Sequence, residues 1–199
     1  MKSVSRVKNK INGKRILAVD PASHSMALAL IEVVDGETKI VYTGKMKFPQ
    51  FNDMATKQAT ILSAWPRFFA IMGPIDQVII EQSIYIQNPQ TSRILAYLTG
   101  ALWQASIANG AKVVDVPPMT WKSWVGYKRI MPAEKKKLIA ELGEKEAKKV
   151  MASERKERVK KILEKRFPEI ESMTDYDIID AIGIGIWGAE SGSITLQGN

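Results

Sequence analysis

Cysteine is absent from this 199-residue chain, and histidine occurs once, as His24. Disulfides, zinc–thiolate sites and cysteine nucleophiles are thereby excluded. A single histidine rules out multi-histidine metal centres and argues against a Ser-His-Asp triad. No run of about eighteen apolar residues occurs, so no membrane span is expected. The first fifteen residues (MKSVSRVKNKINGKR) are basic and polar and lack the apolar core of a signal peptide. These absences point to a cytoplasmic protein.

What is present fits one sizeable domain: 45% hydrophobic and 25% charged residues are ordinary globular proportions, and the length is short for two domains. Residues 1–14 read as a flexible basic arm, 15–190 as the domain, and 191–199 as a polar tail. The net charge of +8 is unevenly placed. Residues 128–166 hold fifteen Lys/Arg against seven Asp/Glu, which leaves fourteen of each sign elsewhere. A neutral body with one basic segment is the footprint of a polyanion binder, the competing reading being a solvated helical face.

Patterning predicts five strands and several helices. Arg15–Asp20, Met26–Val34 and Thr38–Phe48 read as strands, with Asp35-Gly36 a hairpin signal, giving an antiparallel meander with the first strand inside. Asn52 or Asp53 can cap a helix to about Met72 whose stripe is Ile61, Leu62, Trp65, Phe68, Phe69 and Met72. Gln77–Gln82 reads as a strand buried on both faces, Pro89 to about Asn109 as a helix, and Lys112–Val116 as a fifth strand. Met119–Gly126 is a short helical turn. Pro132–Phe167 is helical, with a break at Gly143, a restart at Ser153, and anchors at Leu138, Ile139, Leu142, Val159, Ile162 and Leu163. Tyr176–Ala189 is the last helix. The expected fold is a mixed α/β sheet with helices on both faces.

Four acids sit where charge is costly. Asp20 ends the apolar run RILAVDP, Glu81 ends VIIEQ, and Asp177 and Asp180, three apart on one helix face, open the apolar C-terminal helix. Gathered together, they repel one another unless cations intervene. Oxygen ligands without histidine or cysteine favour Mg²⁺ or Mn²⁺. Two such ions about 4 Å apart suit phosphodiester hydrolysis. For Asp177, near a helix start, capping is the competing role.

Three segments, RILAVDPASHSMALALIEV, VIIEQSIYIQNPQTSRILAYLTGALWQASIANGAKVVDVPPMTWKSWVG and DYDIIDAIGIGIW, resemble the RuvC Holliday-junction resolvases of the ribonuclease H-like superfamily. The resemblance runs from Arg15 to about Trp187. It implies a ribonuclease H-like five-stranded mixed sheet flanked by helices, and a homodimeric endonuclease that nicks four-way DNA junctions symmetrically, leaving a 5′-phosphate and a 3′-hydroxyl. Asp20, Glu81, Asp177 and Asp180 match the family's metal-binding carboxylates, serving two Mg²⁺ or Mn²⁺ ions. Lys122 matches a lysine beside the scissile backbone and Lys156 a second one. The resemblance implies branched DNA and no small molecule as substrate, in a bacterial or phage-infected cell. The family's base-stacking aromatic falls on Ile84 by strict count, with Tyr85 one position later, and Ala22 stands where many members have glycine. The 128–152 region is longer than usual, an added basic segment that brings Lys128 and Arg129 into the expected DNA-binding set, which also includes Arg155.

Other readings share this chemistry. A flap, branch or RNA–DNA hybrid nuclease fits the same fold, and a non-catalytic nucleic-acid-binding module would not need the four acids. A sugar-kinase or actin-like ATPase lacks its glycine-rich loop after Asp20. His24 can orient water or touch phosphate, or be a solvent-exposed loop residue. Trp121 and Trp124 can stack on bases, although at least one is expected in the core. Asn88 and Arg93 are either phosphate contacts or ordinary surface, and Trp65, Trp103 and Trp187 read as packing.

Overall fold

The computed structural model describes residues 13–48, 53–83 and 88–191. In chain order it contains β1 (Lys14–Pro21), β2 (Ser25–Val34), β3 (Glu37–Lys47), α1 (Met54–Met72), β4 (Gln77–Glu81), α2 (Pro89–Ala108), β5 (Lys112–Val116), α3 (Pro118–Trp124), α4 (Pro132–Leu142), α5 (Glu144–Glu164), a single 3₁₀ turn and α6 (Tyr176–Glu190). The five strands form one sheet in the order β3-β2-β1-β4-β5. β1 is central, antiparallel to β2 and parallel to β4. This is the mixed sheet the sequence implied. Among the described residues no helix is long and apolar enough to cross a membrane.

The two-residue periodicity of β1 divides the core. Ile16 and Ala18 face α6, joined by Ala27, Ala29 and Ile31 of β2 and Ile79 of β4. Leu17 and Val19 face the other way, with Leu28, Leu30, Val78 and Ile80, against Ile61 and Trp65 of α1 and Leu98 and Leu102 of α2. Both faces of β1 and β4 are buried, so their sequences read as unbroken apolar runs. The β2–β3 hairpin turns at Asp35 (φ 52°) and Gly36 (φ 82°), the paired left-handed residues of a tight hairpin.

α6 lies close on the sheet because small residues meet across the contact. A methyl group on Gly185 would come within 2.5 Å of Ile31 and 3.3 Å of Ala18, and one on Gly183 within 2.4 Å of the Trp121 ring. A side chain at Gly185 would lift the helix off the strands, and one at Gly183 would push it away from α3.

Several expectations need correction. α5 runs unbroken through Ser153; the break lies at Gly143, whose φ of 75° suits glycine. Ser153 is exposed and costs a helix interior little. Leu142 is exposed, and α4 buries no side chain, because α4 packs mainly against α5 rather than the sheet. Leu62 is also exposed, on the outer side of α1, while Lys57, absent from the expected stripe, is buried and donates to the Ser23 carbonyl at 2.6 Å. The pairing of β2 with β3 shifts between Leu30 and Ile31, interrupting the regular alternation expected of β3. Asp53 caps α1 and Asn88 caps α2. The expected arm, except for its last two residues, and the tail, except for Ser191, lie outside the described residues, as do Ile84 and Tyr85.

Candidate metal centre and nucleic-acid interface

Strand parity aims the acids. Asp20 follows Ile16 and Ala18 on the α6 side of β1, and Glu81 follows Ile79 on the same side of β4. Val19 pairs with Ile80, so Asp20 and Glu81 stand one step beyond that pair, at the carboxyl ends of two parallel neighbours. Asp180 and Asp177 come from the first turns of α6, which covers this face. α6 is capped by Asp175, whose carboxylate accepts from the backbone N–H groups of Asp177 and Ile178. The capping position therefore belongs to Asp175, which frees the Asp177 side chain for other contacts.

The electrostatics are those of a crowded anionic site. Burial pushes the Asp20 carboxyl well above the ordinary range, and Glu81, Asp180 and Asp177 add to the rise against the opposing pull of Lys122. Burial also raises Glu81, although Trp121, Lys122 and a hydrogen bond from Asp20 hold it down. The Trp121 indole donates to Glu81 Oε1 at 2.8 Å. Asp180 is raised by burial despite the Lys122 ammonium, which donates to it at 2.9 Å. For Asp177 burial acts upward, but hydrogen bonds from Lys45 and Lys156 outweigh it and bring the carboxyl below its usual value. Lys45 Nζ lies 2.8 Å from Asp177 and 2.7 Å from Asp175, and Lys156 Nζ lies 3.3 Å from Asp177.

Among the described residues no three acids form a ready-made metal cage. Ammonium groups from Lys122, Lys45 and Lys156 instead hold the carboxylates of α6. The donor set nevertheless suits divalent cations. It is all oxygen, it spans three elements, and Asp20 is destabilised as an anion by burial and then by its acidic neighbours.

The expected DNA contacts divide into groups. Lys122 and Lys156 reach the acids directly, and Arg129 and Arg155 are exposed beside them. Among the described residues Arg129, Arg155 and Lys128 form no side-chain ion pair, whereas Arg158 is committed to Glu134 and Glu154. Trp121 is buried and Trp124 is 41% exposed, so the former is core and the latter surface. Arg93 bonds to Gln90, and the His24 side chain is exposed. Trp65 and Trp187 are core, while Trp103 is half-buried and donates to Asp115.

Sequence reasoning missed Lys45 and the anchoring role of Trp121. A signal for Lys45 existed: it pairs with Ala27, which pairs with Asp20, so the three residues form one row across the sheet on the α6 side. Trp121 carried no comparable sign, since its partner lies 40 residues away.

The sheet order, the flanking helices and the acids at the ends of β1 and β4 define a ribonuclease H-like fold. No family model matches the chain. It is 28% identical over 129 residues to the crossover junction endodeoxyribonuclease RuvC of Burkholderia vietnamiensis, covering 64% of this chain and 71% of that protein. The RuvC of Burkholderia multivorans is 27% identical over the same shares. Among solved structures, Thermus thermophilus RuvC superposes with a TM-score of 0.60 at 15% identity, covering 86% of this chain and 91% of that one. The yeast mitochondrial Holliday junction resolvase Ydc2 gives 0.57 at 10% identity, covering 86% and 76%. The chain is thus similar in sequence to RuvC proteins and shares its fold with the solved RuvC and Ydc2 structures.

Proposed function

We propose that the chain is an endonuclease that resolves four-way DNA junctions by divalent-metal-dependent phosphodiester hydrolysis. The observation that carries this reading is the convergence of Asp20 and Glu81, from adjacent parallel strands, with Asp180 and Asp177 from the helix packed over them. These four side chains are the proposed metal ligands and catalytic groups. Mg²⁺ or Mn²⁺, two per site, would supply the positive charge that activates the attacking water and stabilises the leaving oxygen.

The chain's own residues do the remaining work. Trp121 fixes the Glu81 carboxylate by its indole N–H, and the Trp121 ring is itself clamped against Gly183. Lys122 lies over the Trp121 ring at 4.8 Å and keeps its charge, because Asp180, Glu81 and Asp20 outweigh the effect of its burial. It is placed to meet a backbone phosphate beside the acids. Lys128, Arg129, Arg155 and Lys156 extend this positive edge along the DNA. Tyr85 is kept as the candidate stacking residue on sequence grounds. Symmetric nicking of a two-fold junction requires two such sites, which a homodimer supplies. One domain, residues 15–190, carries the whole site, and a bacterial cytoplasm, infected or not, is its setting.

The test is incubation of the purified chain with labelled four-way junction, duplex, flap and RNA–DNA hybrid, with and without Mg²⁺. Paired symmetric nicks confined to the junction support the assignment. Equal cutting of flaps or hybrids would retain the chemistry and overturn the junction selectivity. Asp20→Asn is expected to abolish cutting while leaving junction binding intact or tighter.

A further inference from the structure

Next to Asp180 a cleft of about 520 Å³ opens between α3, the segment before α4, and α5. Its volume falls in the range of pockets that enclose a nucleotide-sized ligand. Pro118, Met119, Tyr127 and Ile130 give it apolar walls, while Arg129 and Arg155 also line it. The chemistry is thus divided: apolar walls inside, and exposed guanidinium groups with no acidic partner among the described residues. On the same helix Arg158, Lys148, Lys149 and Lys161 each have a glutamate in reach, whereas among the described residues the arginines of the cleft have none.

A duplex base pair has no access to such a cleft, since its bases are stacked and its edges alone are presented. A single base turned out of the stack does fit, with its sugar–phosphate link on the arginines. We propose that this cleft is a pocket for one unstacked nucleobase of the cleaved strand, adjacent to the scissile phosphate. The inference rests on the nuclease reading above, because Asp180 belongs to both the proposed metal set and the wall of the cleft. Unstacking costs least where pairing is already interrupted, so the pocket favours branch points over continuous duplex. α5 forms one wall, which gives the long basic segment a role in specificity beyond charge. Ala152, exposed on α5 and lining the cleft, leaves the room that a base needs.

The experiment first maps the nick on a fixed four-way junction. 2-Aminopurine or an abasic residue is then placed in turn at each nucleotide flanking it. With full-length Asp20→Asn protein, which is expected not to cut, 2-aminopurine fluorescence should rise on binding at one flanking position and at no position in plain duplex. With the active protein, an abasic residue there should slow cleavage at least about tenfold, the scale of losing one base contact. Ala152→Phe, which fills the cleft and leaves the acids untouched, should erase both the fluorescence change and the abasic penalty. A junction that is cut normally with no unstacking at either side, or Ala152→Phe that retains the full abasic penalty, overturns the pocket and leaves the nuclease intact. Failure to cut any junction overturns the nuclease reading and this inference with it.

Discussion

Replacing Gly183 with alanine tests the contact that links α6 to the site. An added methyl group would stand 2.4 Å from the Trp121 ring, a rigid neighbour that cannot give way as a flexible chain end would. Overpacking of this kind costs about 1–3 kcal/mol. Alanine recovers about 1 kcal/mol of helix propensity over glycine, so the net loss is about 0–2 kcal/mol. Gly100, in α2, supplies the control: it is exposed, and a methyl group there meets nothing within 4 Å. Gly100→Ala should therefore gain about 1 kcal/mol. The two variants should differ by about 1–3 kcal/mol, or about 2–12 °C in thermal midpoint for a chain of this size. Thermal unfolding followed by circular dichroism reads the difference. Gly183→Ala should also loosen the indole hydrogen bond to Glu81 and so reduce nuclease activity more than Gly100→Ala. Equal stabilisation by both substitutions would refute the claim that Gly183 is there to admit Trp121.

Three further outcomes follow from the charges. Asp20, raised by burial and then by Glu81, Asp180 and Asp177 against Lys122, is stabilising while protonated, and this contribution is lost as pH rises through its folded pKa. In chelator, Asp20→Asn should therefore be more stable than the parent at pH 8 and lose that advantage below about pH 4; an advantage that grew on acidification would reverse the sign of the argument. Lys45→Met removes the ammonium bridging Asp175 and Asp177 and should raise the Asp177 carboxyl pKa, measured by NMR titration, with a stability loss of about 1 kcal/mol. Removing Arg129 and Arg155 together should lower the slope of log affinity against log salt by about 2 if each meets one phosphate, and an unchanged slope would assign those cations to solvent.

Much of this architecture is legible in the chain because its signals are local. β1 and β4 are apolar on both faces, Asp35-Gly36 dictates its turn, and each proposed metal ligand stands at the end of an apolar stretch where charge is conspicuous. Ser153 misled because serine is common at helix starts, but α5 is held there by Ala147, Met151 and Val159 on its buried side. Leu142 misled because helical spacing shows which residues share a face and not whether anything covers that face. Lys57 and Trp121 were obscured for a different reason. Each acts through a partner supplied by another element, the Ser23 carbonyl for Lys57 and Glu81 for Trp121, and composition carries no trace of such pairings. The cleft beside Asp180 is likewise a product of three separate segments.

The placement of Asp177 and Asp180 on the last helix has a consequence for the life of the chain during synthesis. The sheet is complete once β5 has been made, but its α6 face still exposes Ile16, Ala18, Ile31 and Ile79, and half of the acid cluster does not yet exist. Those contacts span some of the longest separations in the molecule and so form late. A nascent or truncated chain ending before Tyr176 thus carries the basic α5 segment, yet lacks two of the four carboxylates proposed for cutting DNA. On the proposed nuclease reading, the order of the elements along the chain would act as a safeguard, withholding strand scission until the last helix has closed over the sheet.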